Sequence, residues 1–118
     1  MNAQPKTPIP HLELGRVMLT QGTLTMPDEK LMHILGRHKH GDWGQLGDFD
    51  CLVNKASLLN QEVQYTPEDP DEACIIQPTN RIFSAYDWDG DKVYVITEPM
   101  LDNPDFPRTT TVLLADEY

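Results

Sequence analysis

Arg37-His38-Lys39-His40-Gly41-Asp42-Trp43-Gly44 is the stretch of this chain densest in groups that do chemistry. Imidazoles and a carboxylate at this spacing are the residue types that ligate a metal or move a proton near neutral pH. Neither a H-E-x-x-H pattern nor paired cysteines supply further ligands, so no metal site is expected. The competing reading is structural: histidines meet the negative end of a helix dipole and the glycines allow a sharp turn. Trp43 is expected in the core with its indole N–H bonded to a loop carbonyl, and the alternative is an exposed anchor for a partner. Further along, Asn54 lies in a helical pattern, Arg81 and Ser84 bracket a strand start, and Glu98 closes a strand. If His38, Asp42, Asn54, Arg81, Ser84 and Glu98 converged in one cleft, histidine would serve as general acid/base and Arg81 as an anion clamp. No G-x-S-x-G nucleophile motif is present, and no glycine-rich phosphate cradle precedes a G-K-[ST] sequence. No cofactor is implied.

The elements that must position these groups read as α+β. Arg16 to Thr20 has strand character, and Gly22 is the expected turn after it. Pro27 is expected at the first helical position, followed by Asp28 and Glu29, which complement the dipole. Leu31, Ile34, Leu35 and His38 then form the apolar stripe of a helix that Gly41 stops. A second helix is expected from Asp48 as N-cap, with Phe49, Leu52, Val53, Ala56 and Leu59 inward and Asn54, Lys55 and Asn60 off that face. Residues 61–80 read as a solvated acidic excursion with a short extended piece at Ala73 to Ile76. Arg81 to Tyr86 and Lys92 to Thr97 alternate as strands around an Asp89-Gly90 hairpin turn. Thr109 to Leu114 follows as a further strand. The expectation is a three-stranded antiparallel meander covered by two helices, with the early strand added at an edge.

The 118 residues fit one domain, 11–118, behind a flexible proline-punctuated arm at 1–10. The arm lacks the apolar core of a signal peptide, and no stretch is long and apolar enough to span a bilayer, so a cytoplasmic protein is expected. Cys51 and Cys74 share no metal-ligand spacing and are expected as buried thiols. Charge is the strongest global signal: 19 acids stand against 9 bases, for a net of −10. Residues 1–47 carry a net of +1, so residues 48–118 carry −11. Such a field repels phosphate backbones and attracts basic surfaces, which argues against direct nucleic-acid binding.

In their order, His38-x-x-Gly41-Asp42-Trp43-Gly44, the helical Asn54, Arg81-x-x-Ser84-Ala85-Tyr86, Val95-Ile96-Thr97-Glu98 and the ending Thr110 to Tyr118 form a pattern. From about Gly15 onward it resembles a family of small plasmid- and phage-borne bacterial proteins, the plasmid-related proteins loosely labelled type I restriction endonuclease subunit M. Residues 61–79 depart from the family as an acidic insertion, and 99–107 lengthen the loop before the last strand. The methyl-donor pocket and Asn-Pro-Pro-Tyr-type motif of a modification subunit are missing. The resemblance implies a mobile-element context rather than a mechanism.

Two functions follow. One is a binding protein that inhibits a basic, nucleic-acid-binding host defence protein, of anti-restriction or anti-CRISPR type, with DNA mimicry as one means. Glu68, Asp69, Asp71, Glu72, Asp87, Asp89 and Asp91 would form its acidic surface. The other is a small enzyme or ligand-binding domain built on the polar constellation. Acidity that merely keeps the protein soluble is the alternative to the first.

Overall fold

In a computed structural model, residues 12–99 and 108–118 are described. The expected arm at 1–10 and most of the loop at 99–107 lie outside them. Strand β1 (Arg16–Leu19) is followed by helices α1 (Asp28–Lys39) and α2 (Asp48–Leu59), then by strands β2 (Val63–Tyr65) and β3 (Cys74–Ile76). Strands β4 (Ile82–Trp88), β5 (Asp91–Pro99) and β6 (Arg108–Leu114) complete the order. The main sheet runs β1-β6-β5-β4, and β2 and β3 make a separate two-stranded sheet. This is an α+β fold with the expected meander, and β1 joins its edge in parallel to β6.

The β4–β5 hairpin turns where its sequence requires. Trp88 pairs with Asp91, which leaves Asp89 (φ 48°) and Gly90 (φ 84°) as a two-residue loop with both residues left-handed. That is the type I′ geometry whose twist matches the flanking strands. Alternation along β4 then sends Ile82, Ser84 and Tyr86 to one face of the sheet and Phe83, Ala85 and Asp87 to the other. The first face meets α1, and Met26, Ile34, Leu35, Tyr86, Val93, Val95 and Val112 form the main core there. A smaller cluster gathers Leu12, Trp43 and Ile82 beside Leu46, Cys51 and Leu58.

Several local expectations are corrected. Pro27 stands just ahead of α1 in an extended conformation and Asp28 is the first helical residue; Gly47, not Asp48, caps α2. The buried residues of α2 are Asn54 and Ala56, while Phe49 is 44% exposed, so the helix is rotated from its apolar stripe. Hydrogen bonds from Asn54 to the sheet hold that rotation. The 61–80 segment is more ordered than a solvated excursion: Val63–Tyr65 pairs with Cys74–Ile76 as a hairpin, and Phe49 meets Tyr65 edge-on at 5.1 Å. That hairpin leaves Cys74 exposed, and Cys51 is half-buried, against the expectation of two buried thiols. Gly22 falls in a short 3-10 turn, Gln21–Thr23.

Candidate functional site

His38 ends the inward stripe of α1 and reaches the sheet between two hydroxyls. Its Nδ1 lies 2.5 Å from Ser84 Oγ on β4 and its Nε2 lies 2.9 Å from Thr97 Oγ1 on β5. Thr97 Oγ1 is 2.7 Å from Thr110 Oγ1 on β6, and Thr110 donates to the Leu14 carbonyl at 2.7 Å. The carbonyl can only accept, and this fixes every proton upstream. Thr110 donates to Leu14, Thr97 to Thr110, and His38 Nε2–H to Thr97; a ring kept neutral by burial then has a bare Nδ1 that accepts from Ser84. His38 is therefore a neutral Nε2–H tautomer in a one-way chain crossing the sheet. Burial pushes its pKa down to about 4. Ser84, Thr97 and Thr110 are fully buried and His38 is 1% exposed. Serine and histidine at this distance have the form of a nucleophile and its base, and both are buried away from solvent. Both ring nitrogens are also taken by hydroxyls, which leaves none for a metal.

Asp42 sits elsewhere, on the turn after α1. Arg37 grips it in two parallel bonds, Nε to Oδ2 at 2.8 Å and Nη2 to Oδ1 at 3.1 Å. The bond from Arg37 holds the Asp42 carboxyl below the usual carboxylate range, and the same bond raises Arg37. The guanidinium also lies 4.7 Å over the Tyr86 ring, and the Tyr86 hydroxyl donates to the Asp42 carbonyl at 2.6 Å. Burial raises Tyr86 to about 12. These contacts fasten the turn so that the chain beyond it lies along β4: Ala85 N–H donates to Trp43 O and Gln45 N–H to Ala85 O. Gly44 is required at the crossing, where φ is +72° and a Cβ would stand 2.0 Å from the Ala85 carbonyl oxygen. Trp43 is buried as expected, yet its indole N–H has no acceptor among the described residues.

Asn54 and Arg81 do come together, in a cleft of about 340 Å³ between α2 and β4 with Asp50, Val53, Thr79 and Phe83. The Asn54 amide donates to Phe83 O at 2.7 Å and accepts from Phe83 N–H at 3.0 Å. Arg81 donates to the Tyr118 hydroxyl at 3.0 Å and lies 3.9 Å from Glu98, both charged groups being well exposed. The six residues thus occupy three places: the buried chain holds His38 and Ser84, the α1 turn holds Asp42, and the cleft region holds Asn54, Arg81 and Glu98.

The acidic residues lie outside. Glu68, Asp69, Asp71 and Glu72 are exposed in the β2–β3 connection, where Asp69 caps a 3-10 turn through the Asp71 N–H. Asp87, Asp89 and Asp91 are exposed at the β4–β5 turn, with Asp87 accepting from Gln45 Nε2. Among the described residues the ion pairs are Arg37–Asp42 and Arg81–Glu98, so these seven carboxylates have no basic partner there. No group of three His, Cys, Asp or Glu among the described residues is placed to hold a metal ion. No described helix is long and apolar enough to cross a membrane.

Spacing along the chain does not single out Thr97 and Thr110 as partners of His38, or Arg37 as the partner of Asp42. A signal for the first threonine exists all the same: Thr97 shares strand parity with Val93 and Val95, so it must face the same core. Comparison with protein-family models, curated proteins and solved structures finds no match for this chain.

Proposed function

We propose that this protein acts by binding, as an acidic inhibitor of a basic, nucleic-acid-binding protein of a bacterial host, in the mobile-element setting its resemblance implies. One observation carries the reading: the serine and histidine able to do covalent chemistry are sealed in the core, whereas seven carboxylates stand exposed and un-neutralised on two hairpins. Carboxylates on a rigid scaffold place negative charge where a basic groove expects phosphates, which speeds encounter and selects basic partners. Among the described residues no nucleophile, base and accessible cavity coincide to support turnover.

The test is capture from bacterial lysate with the wild-type protein and a variant carrying Glu68→Gln, Asp69→Asn, Asp71→Asn and Glu72→Gln, at two salt concentrations. The expected result is a basic nucleic-acid-binding protein held by the wild type, displaced by DNA and released as salt rises, since the Debye length at physiological salt is only about 8 Å. The variant should capture less of it. Equal capture by both proteins, or no basic partner, would leave the charge as a device for solubility.

A further inference from the structure

The main sheet has two edges, and only one of them is closed. At β4 the outward backbone groups of Phe83 and Ala85 are taken by Asn54 and by the Trp43–Gln45 segment. At β1 the pairing with β6 shows which groups face out. The Thr20 N–H donates to the carbonyl of Val112, the residue that Leu19 pairs with. In a parallel ladder this turns the N–H and C=O of Met18 toward β6 and those of Val17 and Leu19 away from the sheet. Among the described residues nothing bonds to the outward groups of Val17 and Leu19. The side chains are bare as well, with Val17 40% and Met18 43% exposed. Such an edge is a template for another strand.

The pattern of β1 matches itself. Set antiparallel about a two-fold axis at Met18, one β1 meets another with Val17 opposite Leu19 in both halves. Each of those pairs exchanges two N–H···O bonds, so every outward group of Val17 and Leu19 is satisfied. Met18 falls opposite its own copy in a non-hydrogen-bonded pair, where side chains lie closest. Leu19 already packs against the main core, and Val17 and Leu19 carry that face across the axis. Charge agrees with the same register. Arg16 falls opposite Thr20, whose hydroxyl donates to the Glu117 carboxylate at 2.6 Å. Neither Arg16 nor Glu117 has an ion pair among the described residues, so the cation of each copy meets the carboxylate of the other, twice by symmetry. The strand itself, Arg-Val-Met-Leu, brings no carboxylate to the contact in a chain of net −10. The arm ahead of it makes a poor substitute, because Pro5, Pro8 and Pro10 have no N–H to donate to a ladder.

We infer that two copies of this chain pair through β1, antiparallel about Met18, and join their four-stranded sheets into one continuous sheet. A strand of four residues makes a contact smaller than a standard interface, so the dimer is a weak one, with a Kd on the order of 100 µM. The seven exposed carboxylates of the inhibitor reading lie on other segments, so the pairing stands or falls separately from that reading.

The test is sedimentation of the full-length protein from about 10 µM to about 1 mM, a range that brackets the expected Kd. The wild type should pass from monomer toward dimer. Arg16→Glu should weaken the dimer roughly tenfold, because two attractions become two repulsions. Lys39→Glu, the same charge change at the end of α1, should leave it nearly unaltered. Val17→Pro removes an N–H that β6 does not use and should hold the protein monomeric, with a melting temperature at low concentration showing that it is folded. Register is read by oxidation in a Cys74→Ser background. Met18→Cys should cross-link readily, since the two Cα atoms would lie about 4.5 Å apart. Arg16→Cys should not, since its two copies would be offset by about 14 Å, beyond the roughly 7 Å reach of a disulfide. A wild type that stays monomeric at the highest concentration would overturn the inference. So would undiminished association of folded Val17→Pro, equal effects of Arg16→Glu and Lys39→Glu, or cross-linking no faster at position 18 than at 16.

Discussion

His38 shows how one residue's surroundings override its usual chemistry. With its pKa at about 4 in the folded protein against an ordinary 6.5, the unfolded chain takes up a proton before the folded one does. Stability is therefore complete above about pH 6.5, falls as pH drops from there toward 4, and is not lowered further by this group below that. The window amounts to about 3 kcal/mol, at about 1.36 kcal/mol for each pH unit between the two values. Denaturant titrations at pH 7.5 and 5 should show it, and His38→Leu should abolish the part of the slope between pH 6.5 and 5. The same variant should be destabilised at pH 7.5 by about 1 to 3 kcal/mol, because Ser84 and Thr97 lose buried partners. A slope that persists unchanged in His38→Leu would assign it to other groups. Carboxylates held low, such as Asp42 beside Arg37, contribute stability that is lost only at lower pH, as the solution approaches their depressed values.

Strand β4 is a sheet edge, and two neighbouring segments close it. Asn54 occupies the outward backbone groups of Phe83, the Trp43–Gln45 segment occupies those of Ala85, and the Gln45 side chain reaches Asp87. An edge left with free N–H and C=O groups templates pairing with another chain. Asn54→Ala should thus cost about 1 to 2 kcal/mol and raise concentration-dependent association, read by denaturation and by sedimentation. A variant equally stable and monomeric would mean that water serves Phe83 as well as Asn54 does. The hairpin turn offers a cleaner backbone test. A Cβ at Gly90 meets no atom within 4 Å, so Gly90→Val should destabilise through φ alone, by about 1 kcal/mol or more. Gly44→Ala combines the same strain with a collision against the Ala85 carbonyl and should cost more. Thermal melts of the two variants should rank them in that order.

At the scale of the molecule, an excess of carboxylates repels itself, so stability should rise as salt screens the surface from low to physiological ionic strength. The variant neutralised at Glu68, Asp69, Asp71 and Glu72 should keep the wild-type melting temperature or exceed it, because none of the four has an ion pair to lose among the described residues. A lower melting temperature in that variant would reveal a structural role for the loop. Much of this architecture is legible in the residues. Alternation around Asp89-Gly90 specifies the hairpin, and the stripe through Ile34, Leu35 and His38 specifies the inward face of α1, since period and turn chemistry act locally. The rotation of α2 is not legible: an apolar stripe through Phe49 points one way, and two hydrogen bonds from Asn54 to a strand edge decide the other. Nor can spacing separate His38 from Asp42. They are four residues apart, yet the turn after α1 sends one into the core and the other to the surface. Sequence by itself determined the types of the two helices and the main-sheet strands and the net charge, because these are sums over local residues. Which polar groups meet was decided by the tertiary structure, because a hydrogen bond between α1 and three strands depends on register and on which side of each element is buried.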